Sequence, residues 1–134
     1  MKIHQIDTQS VLDNFTYLLE LGDGNAIAID PWDDVITNEL LAVNNLSLKA
    51  IINTHEHWDH IQGNEPLVAQ HGCEVWAHAN GEGKIPGLSR ILTAGELITL
   101  DNAVALKVLD TPGHTMAHLC FLVLEQGAAK AVFT

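Results

Sequence analysis

Thr54-His55-Glu56-His57-Trp58-Asp59-His60 follows directly on the apolar run Leu48–Asn53. A second stretch, Thr111-Pro112-Gly113-His114-Thr115, also follows an apolar run. With 8 His and 9 Asp in 134 residues, the pattern His-x-His-x-Asp-His is expected about 0.002 times by chance. The two stretches read as parts of one metal site. Imidazole with carboxylate suits zinc, iron and similar borderline ions, and neither Cys73 nor Cys120 is close enough in sequence to argue for a thiolate site.

Residues two apart do not share a helix face, but they do share a face of an extended segment. His55 and His57 therefore converge only if the backbone there is extended or loop-like. This excludes the helical zinc pattern His-Glu-x-x-His, despite the His55-Glu56 dipeptide. Asp59 and His60 come after the turn and can address a second ion. The motif stands at the end of a strand, where open α/β sheets place their sites.

The chain is long enough for one domain with a modest core. Its hydrophobic content is 47%, with no run long enough to cross a membrane and no signal-peptide stretch at the N-terminus. The formal charge is −11, with only 6 Lys and Arg. That field opposes binding to a phosphate backbone, so nucleic acid is not an expected partner. Two cysteines without a Cys-x-x-Cys pair read as free thiols in a reducing cytoplasm.

The segments alternate along the chain. Strands are expected at 2–6, 15–21 and 26–30, with Gly22-Asp23-Gly24-Asn25 as the turn of a hairpin. A helix over 35–45 is capped by Asp33 or Asp34. A buried strand at 48–53 leads into the histidine motif. A helix over 64–71 starts at Asn64 as its cap and stops at Gly72. A strand at 74–77 and a surface loop over 78–89 follow. Strands at 97–100 and 103–110 flank the Asp101-Asn102 turn, and strands at 118–124 and 130–134 complete the chain. The expected class is α/β, a mixed sheet with helices on one face.

His55-x-His57-x-Asp59-His60, followed by Pro112-Gly113-His114-Thr115, resembles the metallo-β-lactamase fold superfamily. Asp13-Asn14-Phe15-Thr16-Tyr17-Leu18-Leu19, Gly63-Asn64-Glu65 and Ala131-Val132-Phe133-Thr134 add a resemblance to glyoxalase II (hydroxyacylglutathione hydrolase) within it. The resemblance implies an αββα sandwich. The chain stops at Thr134 in an apolar strand, and the expectation is a single domain over 1–134 that is the N-terminal half of such a fold. His55, His57 and His114 match ligands of a first metal, and Asp59 and His60 match ligands of a second. Two divalent ions are implied, zinc first, with iron or manganese as alternatives. Two further ligands of the family have no counterpart in the chain, which implies partial metal occupancy. Trp32 stands where many relatives have Gly, and Ala117 stands where the family often has Gly.

The implied activity is metal-assisted hydrolysis of a glutathione thioester, a small-molecule substrate, with Asp59 orienting the nucleophile. The resemblance identifies no substrate-binding residue. A persulfide dioxygenase-like iron enzyme and a lactonase share the motif and are the alternatives. A non-catalytic metal-binding half-domain is a third reading. It would associate through an uncovered sheet face, with a homo-oligomer as one form of that association. Asp30 reads either as a turn cap or as an acceptor for a ligating His, and His118 as a support beside the ligands. Glu56 and Trp58, between the ligands, are expected to point away from them.

Overall fold

The computed structural model describes residues 1–134. Three strands open the chain as an antiparallel meander: β1 (Lys2–Asp7), β2 (Phe15–Glu20) and β3 (Asn25–Ile29). Helix α1 (Asp34–Val43) then crosses to β4 (Ser47–Ile52), parallel to β3. Helices α2 (Trp58–Ile61) and α3 (Asn64–His71) lead to β5 (Glu74–His78). A 3₁₀ turn and a loop follow, then β6 (Leu88–Leu92), and β4, β5 and β6 pair in parallel. The first sheet is thus mixed, in the order β1-β2-β3-β4-β5-β6. Strands β7 (Leu97–Thr99), β8 (Val104–Asp110), β9 (Leu119–Glu125) and β10 (Ala128–Phe133) form a second, antiparallel sheet.

The alternation of β3 and β4 explains the layering. Ile27, Ile29, Ala50 and Ile52 point toward the second sheet and join Leu106, Val108, Leu119, Phe121 and Val123 in an inter-sheet core. Ala26, Ala28 and Ile51 point the other way, under Leu41 of α1 and Leu67 of α3. Side chains of period two in a strand buried on both faces produce the continuous apolar run seen in the sequence. The order of layers is helices, mixed sheet, antiparallel sheet. On the outer face of the second sheet Ala105, Leu109, Leu122 and Leu124 are half-buried, and Leu97 and Val132 are exposed.

Two local expectations are corrected, one open choice is settled, and one helical turn was not expected. Asn64 does not cap α3: Gly63 stands at the cap, and the Asn64 amide is buried against Asn53 and Pro86. Asp33 rather than Asp34 caps α1, accepting from the Ile36 N–H. Residues 88–92, placed partly in a surface loop, are strand β6, because parallel pairing with β5 overrides a weak local pattern. The four residues of α2 form a helical turn too short to show a period. No helix is long and apolar enough to cross a membrane.

Candidate metal centre

The site forms where β3, β4 and β8 end. The Asp30 N–H donates to Ile52 O at 3.0 Å, so β3 and β4 end in register, and the Asn53 N–H donates to Trp76 O at 3.0 Å, which holds the end of β4 to β5. The Leu119 N–H donates to Thr54 O at 2.8 Å and ties the second sheet to the motif. Past Thr54 the backbone is irregular until α2, so His55 and His57 lie on a non-helical segment.

His55, His57 and His114 each aim one ring nitrogen into a shared space, all within 4.8 Å of one another. His57 Nδ1 lies 3.1 Å from His55 Nε2 and 3.1 Å from His114 Nε2. A tetrahedral ion bound at ~2.0–2.1 Å from each nitrogen would set them about 3.3–3.4 Å apart. The spacing and the donor set therefore fit a metal of that kind.

Hydrogen bonding fixes which nitrogen of His55 is free. Thr54 Oγ1 lies 2.6 Å from Asp30 Oδ2, to which it gives its only proton. The same oxygen lies 2.9 Å from His55 Nδ1, so that nitrogen must donate. His55 Nε2 is left with a lone pair facing the cluster. The ring is buried, and desolvation first, then the nearby His60, lowers its pKa from 6.5 to about 4. The ring is therefore neutral at physiological pH, with that lone pair unprotonated.

Asp59 and His60 sit beside this group. The His55 and His60 ring centroids are 4.2 Å apart, and His60 Nε2 lies 3.4 Å from Asp59 Oδ2. His60 Nδ1 donates to Asp30 Oδ2 at 3.0 Å, which leaves Nε2 as the accepting nitrogen. Burial opposes a charge on His60. The hydrogen bond and charge of Asp30, with the charge of Asp59, outweigh it and raise the pKa. Asp30 holds the whole arrangement, since it also accepts the Thr54 N–H at 2.7 Å. Its backbone is left-handed, φ 50°, which turns the chain off β3.

His118 lies outside the converging three. Its Nδ1 pairs with Thr111 Oγ1 at 2.9 Å, and its ring centroid is 5.3 Å from that of His55. Desolvation, then the proximity of His114, lowers its pKa. Trp58 is exposed and stacks obliquely on Trp32, with centroids 4.9 Å apart. Glu56 points away from the imidazoles, as alternation requires, and bonds Thr115 and Lys84.

The sequence reading gave no role in the site to several residues that build it. Asn14 Nδ2 donates to Asp59 O at 2.6 Å and lies 3.2 Å from Asp59 Oδ2. Asn53 Nδ2 donates to His60 O at 3.0 Å, and Asn64 Nδ2 to Asn53 Oδ1 at 2.8 Å. Both of these asparagines are fully buried. The only signal for Asn14 and Asn64 was their place in the stretches that carry the family resemblance, and Asn53 had only its place at the end of an apolar run. The two surface concavities, of about 250 and 360 Å³, lie around Asp101-Asn102-Ala103, at the other end of β8 from His114.

Strand-end histidines over a layered α/β frame define a metal-binding class of site. The chain belongs to the metallo-beta-lactamase superfamily, whose family model matches residues 10–134. Within it the chain is similar to a hydroxyacylglutathione hydrolase of Nitrosococcus oceani, 45% identical over 121 residues, covering 90% of this chain and 46% of the relative. A hydroxyacylglutathione hydrolase of Polaromonas sp. is 40% identical, with the same coverage. The chain thus spans about half the length of these curated relatives. Among solved structures, a metallo-beta-lactamase from Staphylococcus aureus shares the fold at a TM-score of 0.83 and 24% identity, covering 99% of this chain and 42% of that one. ETHE1 from Myxococcus xanthus gives a TM-score of 0.76 and 27% identity, covering 92% of this chain and 54% of that one.

Proposed function

We propose that the chain carries the metal-binding part of a hydrolase of glutathione thioesters. The observation that carries this reading is the convergence of His55, His57 and His114 beside Asp59 and His60. It occurs in a chain 45% identical to a hydroxyacylglutathione hydrolase. His55, His57 and His114 would hold one divalent ion, and Asp59 and His60 a second. Imidazole-rich donors with a carboxylate favour zinc, with iron or manganese as alternatives. Bound there, such ions supply an acidified water and a polarised carbonyl.

The chain's own residues do the rest. Asp59, held by Asn14 on its carbonyl and carboxylate, is oriented to accept a hydrogen bond from the attacking water. Thr54 and Asp30 keep the His55 and His60 lone pairs turned inward. A thiolate leaves readily, so no general acid is needed. Residues 1–134 are proposed as one domain of the longer architecture the relatives have, in a reducing, cytoplasmic setting consistent with the free Cys73 and Cys120.

The test is metal content with turnover of a glutathione thioester by the full-length protein. Asp59→Ala should lower turnover sharply while the His55 site still binds metal. Unchanged turnover would remove the role of Asp59. The ETHE1 likeness supports a second reading, a persulfide dioxygenase-like enzyme with one iron. Elemental analysis separates the two: two zinc-like ions favour hydrolysis, one iron favours oxygen chemistry. The outer face of the second sheet, with Leu97, Leu122, Leu124 and Val132, supports association with another copy. A species of 14.6 kDa in light scattering would count against it.

A further inference from the structure

His114 stands on an exposed loop, yet it must meet two imidazoles that are built into a strand end. Between Thr111 and Leu119 the loop closes only two backbone hydrogen bonds of its own, Thr111 N–H to His118 O and Gly113 N–H to Thr115 O, each 3.1 Å. Such a segment is not placed by its backbone alone. Side chains from elsewhere hold it. Asn80 Nδ2 donates to Met116 O at 2.8 Å. Thr115 Oγ1 donates to Glu56 Oε2 at 2.8 Å, across 59 residues of sequence.

The direction of that second bond is determined. The Ala117 N–H donates to Thr115 Oγ1 at 3.2 Å, which occupies a lone pair. The single hydroxyl proton is free for the carboxylate, making a charge-assisted bond of the stronger kind. Glu56 is not a solvated surface acid. Its side chain is only 14% exposed, and its other oxygen lies 3.4 Å from Lys84 Nζ.

We propose that Glu56 is a positioning residue, whose bond to Thr115 latches the His114 loop onto the His55–His57 turn and so sets the third nitrogen of the cluster. Glu56 lies between the two strand-end histidines and Thr115 adjoins the loop histidine, so one hydrogen bond spans the two parts of the triad. The proposal rests on the metal-site reading above. It extends that reading by assigning the residue between the ligands a task of its own, distinct from binding.

The test uses zinc affinity, measured by competition with a chromophoric chelator, and the visible spectrum of the cobalt(II) form. Glu56→Ala and Thr115→Val should each weaken zinc binding roughly ten-fold or more, as loss of a partner that orients a ligand does. Both should also change the cobalt ligand-field bands. The double variant should lose no more than the stronger single variant, because both remove the same bond. Thr115→Ser, which keeps the hydroxyl, should restore affinity and spectrum. Thermal melting of the metal-free variants shows that each is folded. Wild-type affinity in Thr115→Val would overturn the latch, as would losses that multiply in the double variant, or equal losses in Thr115→Ser and Thr115→Val. Wild-type protein that takes up no zinc or cobalt would remove the metal-site reading and the latch together, whereas the other outcomes remove the latch alone.

Discussion

Thr54–His60 and Thr111–His118 both deliver imidazoles to one point, but they are built in opposite ways. The first stretch grows out of the core. Thr54, His55 and Asp59 are buried, and Asp30, Asn53, Asn64 and Asn14 hold them through a continuous set of hydrogen bonds. The second is exposed from Pro112 to His114 and depends on a few side-chain tethers. The difference implies that stability and metal binding are separable: damage to the supports of the first stretch costs stability, whereas damage to the second disables the site with the fold intact.

Asp30→Ala should give the largest effect. It strands the Thr54 N–H, the Thr54 hydroxyl and His60 in a buried place, and about 3 kcal/mol of stability should be lost. Urea unfolding measures it, and a loss under about 1 kcal/mol would break the contrast between the two stretches. Asn64→Ala orphans the Asn53 amide oxygen, for a loss of about 2 kcal/mol in the same assay. Asn14→Ala frees the Asp59 carbonyl at a partly accessible place, for about 1 kcal/mol. His114→Ala should change stability by less than about 0.5 kcal/mol, while zinc uptake at the triad collapses. A large loss of stability in His114→Ala would show that the loop, too, belongs to the core.

Acidity should produce the smallest net effect, because two rings oppose each other. The His55 pKa is lowered from 6.5 to about 4, so the unfolded chain binds a proton that the folded ring refuses. That contribution to stability is complete above pH 6.5 and is lost as pH falls toward 4. His60 is raised above its ordinary value by its carboxylate neighbours. Its contribution is complete below that ordinary value and is lost as pH rises through the raised one. Imidazole NMR shifts of the metal-free protein should titrate near pH 4 for His55 and above 6.5 for His60. A shared midpoint would erase the electrostatic difference between neighbouring rings.

Much of the frame was legible because it is written locally. The apolar runs gave β3, β4, β8 and β9 to within a residue or two, and Asp33 with the 35–43 pattern gave α1. The spacing of His55 and His57 was enough to demand a non-helical segment. What failed was decided at a distance. Asn64 has the chemistry of a helix cap, but a buried partner 11 residues away claims its amide. β6 is a strand because β5 lies beside it, not because Ser89 and Arg90 favour one. Within the site, the bond between Asn14 and Asp59 spans 45 residues and that between Thr115 and Glu56 spans 59, and no local pattern signals either.

Gly63 carries this further. Its φ of −74° is one that any residue adopts, so no turn explains a glycine there. The reason is contact: a Cβ would lie 2.6 Å from the carbonyl oxygen of Pro31, which already accepts the Gly63 N–H at 2.8 Å. That carbonyl belongs to the residue after Asp30, so any side chain at 63 would push on the carboxylate that sets Thr54 and His60. Under random mutagenesis the position should tolerate nothing but glycine, although it brings no side chain to the histidine cluster. Divergence of this site toward new chemistry is therefore constrained through a hydrogen atom, at a place where a survey of functional side chains would find nothing to keep.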